Sequence, residues 1–251
     1  ALVKRLQAVE ALGQARVIAV DKTGTITKNE LVIREVWTSG KVFSLGGVGY
    51  EPRGEVSLEG SVVDAANHPE LLFVGKLAAI SANARVFFSE AEERWKVAGD
   101  PTEAAIRVFG EKIGFKKDDI LKESPVVFEE PFDYRSKYRT VIFDSPSGDT
   151  LIVSGAPEVV LARSSQIQRN GRTELLRDID RSDLEKVLAG MSDRGLRVVG
   201  VAVRERFSEL PSPETVDGLA FVAFFGMQDI LRPEVAEAMA RAVAADIRVV
   251  M

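Results

Sequence analysis

The 251 residues contain no cysteine, which excludes disulfides and every metal site built on thiolates. That absence fits a reducing compartment without requiring one. The single histidine, His68, excludes multi-histidine zinc sites and leaves almost nothing for a Ser–His–Asp triad. With no motif around it, His68 reads as a loop or helix-start residue. A basic excess is also missing: 33 Lys and Arg stand against 38 Asp and Glu, a net charge of −5. Modules that bind nucleic acid usually carry the opposite balance, so no nucleic acid is expected as a partner. No window approaches the roughly 18–20 apolar residues of a membrane-spanning helix. The first residues, ALVKRLQAVEALG, are charged and amphipathic where a signal peptide is apolar.

What is present is ordinary for a globular protein, with 45% apolar and 28% charged residues. The length allows a sizeable core and two domains. Leu2, Leu6, Val9 and Leu12 have helical spacing and Gly13 suits a C-cap, so a short helix is expected before the strand Val17–Val20. That strand is continuously apolar, as in the middle of a parallel sheet covered on both faces. Short β-like runs recur at 41–45, 86–88, 94–97, 125–128, 138–144 and 150–154, and RNGR at 169–172 is a hairpin signal. Helices are expected at 68–84 with Pro69 in the first turn and at 100–114. The second has Asp100 as N-cap and Glu103 as its capping-box partner. A third is expected at 181–195, between Ser182 as N-cap and Gly195 as C-cap. The tail reads as a strand at 218–229, an alanine-rich helix at 232–245 and the start of a strand at 246–251. SEAEER (89–94) reads as a solvated loop and LPSPETVDG (210–218) as the most linker-like stretch. The pattern is that of an α+β block on a mainly antiparallel sheet, inserted into an α/β domain.

The stretch DKTGTITKNE begins where the apolar strand ends. A strand end fixes the carboxylate of Asp21, and Gly24 lets the backbone approach an anion closely. Thr23 and Thr25 add hydroxyls, Thr23 adds a carbonyl that a magnesium ion can use, and Lys22 adds positive charge. A carboxylate so placed can attack a phosphoryl group to give an aspartyl-phosphate. The competing reading is a plain turn pivoting on Gly24.

DKTGTITKNE closely resembles the phosphorylation signature of P-type ATPases, cation pumps that form an aspartyl-phosphate. LVKRLQAVEALG, GVGYEPRGEV (47–56), GDPTEAAI (99–106), EEPFDYRSKYRTV (129–141), SGAPEVVL (154–161), RGLRVVGVA (194–202) and GMQDILRPEV (226–235) resemble further segments of that family, in its order. The resemblance covers nearly the whole chain and favours the calcium-pump-like type II branch. It implies three segments. Residues 1–33 are the first part of a phosphorylation (P) domain of haloacid-dehalogenase-like fold, 34–223 are a nucleotide-binding (N) domain, and 224–251 return into the P domain. By the same resemblance Asp21 is the phosphoryl acceptor. Asp21 and Thr23 are the local magnesium ligands, and Thr23 and Thr25 belong to the phosphate site. Thr23 stands where many relatives of the wider fold carry a second aspartate, so water should attack the intermediate slowly.

For the nucleotide, the resemblance points to Phe132 as the aromatic that stacks on adenine, with an ordinary core phenylalanine as the alternative. Lys137 is expected to meet phosphate or adenine, and Glu103 to lie on the nucleotide side while also serving its helix. Gly155 and Ala156 are expected to let the ligand come close. Arg197 suits the ATP phosphates, against a plain surface strand arginine. Ser154 departs from the family, which usually has lysine there, and Tyr134 stands near a position that is often polar or basic. Both predict weak ATP binding, submillimolar to millimolar. Asp229 and Arg232 fall in a segment that implies hinge and P-domain structure.

Later P-domain motifs, a lysine and a Gly-Asp-Gly aspartate among them, do not occur in the sequence. Membrane helices and an actuator domain do not occur either. The expectation is therefore a cytoplasmic portion of an integral membrane protein, using ATP and Mg2+. Its partners would be the remaining P domain and the actuator domain, and the transported cation would be met only through membrane helices. On its own, such a piece should form little or no aspartyl-phosphate. The alternatives are an isolated nucleotide-binding module without turnover and a dehalogenase-like phosphatase. Against the latter stand Thr23 and the inserted segments.

Overall fold

The computed structural model describes residues 13–251, and the helix expected over residues 2–12 lies outside them. The chain divides into two compact units, one of Leu31–Gln228 and one joining the residues up to Glu30 to Asp229–Met251. Strands β2 (Thr27–Thr38) and β14 (Leu219–Leu231) run continuously from one unit's residues into the other's.

The larger unit is organised by an 11-stranded sheet. Its members besides β2 and β14 are β3 (Lys41–Leu45), β4 (Val56–Leu58), β5 (Ser61–Val63), β8 (Val126–Asp133), β9 (Tyr138–Phe143), β10 (Thr150–Gly155) and β13 (Arg197–Arg204). Hairpin strands β11 (Ser164–Arg169) and β12 (Arg172–Leu175) complete it. The main path is β5-β4-β3-β2-β14-β13-β10-β9-β8, with β11 joining β14 in parallel. Consecutive strands joined by short turns must pair antiparallel. The RNGR turn does this for β11 and β12: Arg169 faces Arg172 while Asn170 and Gly171 take φ of 49° and 76°.

Both faces of the sheet are covered, which is why β9, β10 and much of β14 are buried along consecutive residues instead of alternating. Side chains still point alternately to the two faces. Ile152 joins one core cluster and its neighbours Leu151 and Val153 join the other. The first cluster packs under α1 (Pro69–Ser81) and α2 (Pro101–Lys112), the second under α4 (Pro157–Ala162) and α5 (Asp178–Asp193). Helix α3 (Lys117–Glu123) follows α2, and the hairpin β6 (Arg85–Ser89) and β7 (Arg94–Ala98) forms a small separate sheet. Helix α1 begins with Pro69 at its first turn, and His68 occupies its N-cap position with its ring edge-on to Phe43. SEAEER forms the exposed turn of the β6–β7 hairpin.

Three expectations need correction here. Helix α5 starts at Asp178, four residues before Ser182. Asp180 accepts from the Arg177 backbone N–H at 3.0 Å and supplies the cap, so Ser182 is interior; Gly195, at φ 75°, does follow the helix end. Helix α6 (Val235–Ala244) starts later than residue 232, because Arg232 precedes a proline and its backbone N–H goes to Ile26 O at 3.0 Å. Strand β1 (Val17–Ala19) is expected in the middle of a covered sheet, but its described surroundings are narrower. Among the described residues it pairs only with β15 (Arg248–Val250), in parallel, and Val17 and Ile18 stay exposed. No residue of α6 is buried either. Among the described residues, no helix is long and apolar enough to cross a membrane.

Candidate functional site

The larger unit holds a cavity of about 460 Å³ on the α2 side of the sheet, a size suited to a small organic ligand. Its wall includes five of the expected nucleotide residues from separate elements: Phe132 on β8, Ser154 and Gly155 on β10, Glu103 on α2 and Arg197 on β13. Ala156, between β10 and α4, lines it as well.

Local chemistry explains each placement. The turn from β8 to β9 is closed by Asp133, whose carboxylate accepts from Arg135 N at 3.2 Å and Ser136 N at 3.0 Å. Those backbone N–H groups hold the Asp133 carboxyl below the usual carboxylate range. Phe132 is thereby presented at the cavity with 41% of its surface open, and Tyr134 packs edge-on to it at 5.4 Å between ring centres. Phe132 is therefore not a core phenylalanine. Gly155 is required where β10 touches the end of the turn. A Cβ there would sit 2.3 Å from Lys137 O and 2.6 Å from Tyr138 Cα. Ala156 N donates to the same Lys137 carbonyl at 2.9 Å, fixing the start of α4.

Lys137 itself, at φ 60°, does not line the cavity; its exposed Nζ lies 3.9 Å from Glu158. Glu103 also departs from expectation. Asp100 caps α2 by accepting from Thr102 N at 2.8 Å and Glu103 N at 3.2 Å. The Glu103 carboxylate does not return to the N-cap. It accepts from Asn83 N at 2.8 Å and pairs with Arg139 at 2.7 Å, because a buried guanidinium is the stronger attraction. Arg139 was not expected as a site residue. Its side chain is 6% exposed, lines the cavity and also pairs with Glu129 at 2.8 Å. The available signal was one arginine inside the otherwise apolar-rich strand YRTVIF.

The other unit carries Asp21, Thr23 and Thr25 on the turn Lys22–Ile26 after β1. All three are exposed, and Asp21 makes no capping hydrogen bond with its side chain. Gly24 takes φ 78°, a conformation that favours glycine, and Arg232 Nη2 donates to its carbonyl at 2.9 Å. Thr27, 2% exposed, holds the turn from beneath: its Oγ1 accepts from Gly24 N at 3.2 Å and donates to Asp229 Oδ2 at 2.6 Å. Asp229 Oδ1 accepts from Glu30 N at 3.1 Å. Asp229, Arg232 and Thr27 thus shape the turn that carries Asp21. Thr27 was not singled out in the sequence, although it belongs to the DKTGTIT run. Among the described residues there is no cluster of three or more His, Cys, Asp or Glu able to hold a metal ion.

Residues 70–234 match the family model described as P-type ATPase, cytoplasmic domain N. The chain is 34% identical over 253 residues to a calcium-transporting ATPase of Bacillus subtilis, covering 100% of this chain and 28% of that protein. It is 33% identical over 245 residues to the cation-transporting ATPase pma1 of Synechocystis, covering 93% of this chain and 26% of that one. Against an endoplasmic reticulum-type calcium-transporting ATPase of Arabidopsis thaliana the identity is 32% over 301 residues, covering 100% and 27%. The chain therefore spans little more than a quarter of the length of these relatives. Its large antiparallel sheet with helices on both faces is the architecture of the matched N-domain region, and this chain belongs to the P-type ATPase family.

Proposed function

We propose that this chain supplies the ATP-binding and phosphoryl-accepting parts of an ATP-driven cation pump, with calcium as the leading cargo by its relatives' names. The observation that carries the reading is the cavity of about 460 Å³, where an open aromatic face, a close-approach glycine and two arginines converge from four different strands. Phe132 stacks on the adenine, Ser154, Gly155 and Ala156 form the floor, and Arg197 pairs with phosphate. No carboxylate pairs with Arg197 among the described residues, which leaves its guanidinium available.

Residues 1–33 and 224–251 act as the phosphorylation domain and 34–223 as the nucleotide-binding domain. A parallel pair, β1 with β15, with α6 immediately preceding β15 and with exposed apolar side chains on both strands, supports a place in a wider dehalogenase-like parallel sheet. Asp21 attacks the γ-phosphorus in line. A carboxylate O–P bond forms, the bond from phosphorus to the β-phosphate bridging oxygen breaks, and ADP leaves with that electron pair. The Asp21 carboxylate and the Thr23 carbonyl are hard oxygen donors suited to Mg2+, which would supply charge neutralisation at the transferring phosphoryl group. Thr23 offers no carboxylate to activate water, so the aspartyl-phosphate persists long enough to drive transport.

The test uses the full-length parent. Label from γ-labelled ATP should enter the protein as an acid-stable, hydroxylamine-labile adduct and vanish in Asp21→Asn. Label that persists in Asp21→Asn overturns the assignment.

A further inference from the structure

Arg197, the cavity arginine with no carboxylate partner among the described residues, is the first residue of β13, and element ends fray. The chain reaches it through Gly195, which takes a left-handed φ of 75° after α5. Arg194 ties this approach to a distant strand. Its Nε and Nη2 donate to the two carboxylate oxygens of Glu35 on β2 at 3.0 and 2.6 Å, a bidentate pair.

Strand β14 runs between β13 and β2, and the pair spans it at Gly226. A Cβ on Gly226 would lie 2.9 Å from Leu196 Cδ1 and 3.4 Å from Glu35 Cβ, so a larger residue would crowd the crossing. The next residue of β14, Met227, is the register partner of Arg197. Leu196 and Val198 pack against the second core cluster, while Val199 joins the first, on whose side the cavity opens. Neither Glu35 nor Arg194 lines that cavity. Their side chains are 18% and 53% exposed. Ion pairs so open to water contribute little to stability, and ordering an arginine costs side-chain entropy. What the pair fixes is geometry, at the level of the sheet where Arg197 begins its strand.

We propose that Glu35 and Arg194 are positioning residues for phosphate: their ion pair holds the start of β13 so that the Arg197 guanidinium meets the phosphates of ATP in a fixed orientation. This rests on the ATP-binding reading above and goes beyond it by extending the phosphate-binding apparatus to residues outside the cavity. A guanidinium grips phosphate through two parallel N–H donors, so a small displacement of its backbone costs affinity. Phe132, Ser154 and Gly155 stand on β8 and β10 and do not depend on this pair.

The test measures binding of ATP and of adenosine to this chain by NMR titration, the second ligand keeping the base and lacking the phosphates. Glu35→Gln and Arg194→Gln should each weaken ATP about fivefold and leave adenosine unchanged. Arg197→Gln should weaken ATP at least as much. Adding Glu35→Gln to Arg197→Gln should then cost nothing further, because the pair acts through Arg197. Unchanged ATP affinity in Glu35→Gln overturns the proposal and leaves ATP binding by the wild-type chain standing. Equal losses for ATP and adenosine overturn it too, since the pair would then merely support the fold, and so does full additivity with Arg197→Gln. If the wild-type chain binds no ATP, the ATP-binding reading falls and this proposal with it.

Discussion

Thr27 shows how much one hydroxyl can organise. It is buried, and it ties the Gly24 amide to the Asp229 carboxylate beneath the turn that carries Asp21. Thr27→Val keeps the shape and removes the hydroxyl, leaving Asp229 Oδ2 without that donor. Faster hydrogen exchange at the Gly24 amide is expected, and exchange unchanged from wild type would show that the hydroxyl does not hold the turn. Asp180 plays the comparable part at the start of α5, accepting from Arg169 at 2.8 Å and from the side chain and backbone of Arg177 at 3.0 Å each. The side-chain bond from Arg177 and then that from Arg169 hold its carboxyl far below the usual range. A carboxyl depressed in the folded state contributes stability that is fully present above its unfolded value and is lost as pH falls through the folded value. Asp180→Asn should therefore lower the midpoint of thermal unfolding at neutral pH, with the difference from wild type shrinking on acidification below the ordinary carboxylate range. A difference that is independent of pH would show that the ion pairs carry none of it. Single residues were only partly legible in the sequence. Phe132 and Gly155 announced themselves through a recognisable segment. Arg139 and Thr27 owe their roles to partners 36 and 202 positions away, Glu103 and Asp229, which no local pattern reveals.

Elements were easier to read where local chemistry alone decides them. Pro69 and Asp100 open their helices as expected, and RNGR closes its hairpin, because caps and turns are satisfied within a few residues. The start of α5 was misread because its cap is an aspartate drawn in by two arginines, in a stretch whose polarity looks like a loop. Packing between helices was not legible at all. Helices α1 and α2 meet closely at Gly75 and Gly110. A Cβ on Gly110 would lie 3.0 Å from Ala79 N and 3.2 Å from Ala79 Cα, both backbone atoms that can yield only if the helices separate. Gly110→Ala should therefore destabilise by about 1–3 kcal/mol despite the better helix propensity of alanine, measured by urea unfolding. Because Glu103 sits on α2, the same substitution should also weaken ATP binding. A more stable variant would mean that the helices part without cost and that propensity dominates.

At the scale of the whole molecule, the distribution of buried apolar residues separates the two units. All three core clusters, from Leu31 to Met227, lie within Leu31–Gln228, and the cavity's lining does too. In the other unit, the described strands β1 and β15 and helix α6 keep no buried hydrophobic residue. Hydrophobic burial is the main favourable term in folding, so the larger unit contains what it needs to fold cooperatively. The smaller unit should open at little free-energy cost. Residues 31–228 produced alone should unfold in one transition within a few degrees of the main transition of the full chain and bind ATP within about twofold of it, since none of the cavity residues is removed. In the full chain, the amides of β1, β15 and α6 should exchange with solvent orders of magnitude faster than those of β9, β10 and β14. Protection of β1 and β15 equal to that of the central strands, together with failure of the 31–228 piece to fold, would show that the two units stabilise each other and that the insertion is not an independent domain. Intact folding with lost ATP binding would instead place a nucleotide-binding determinant outside the cavity.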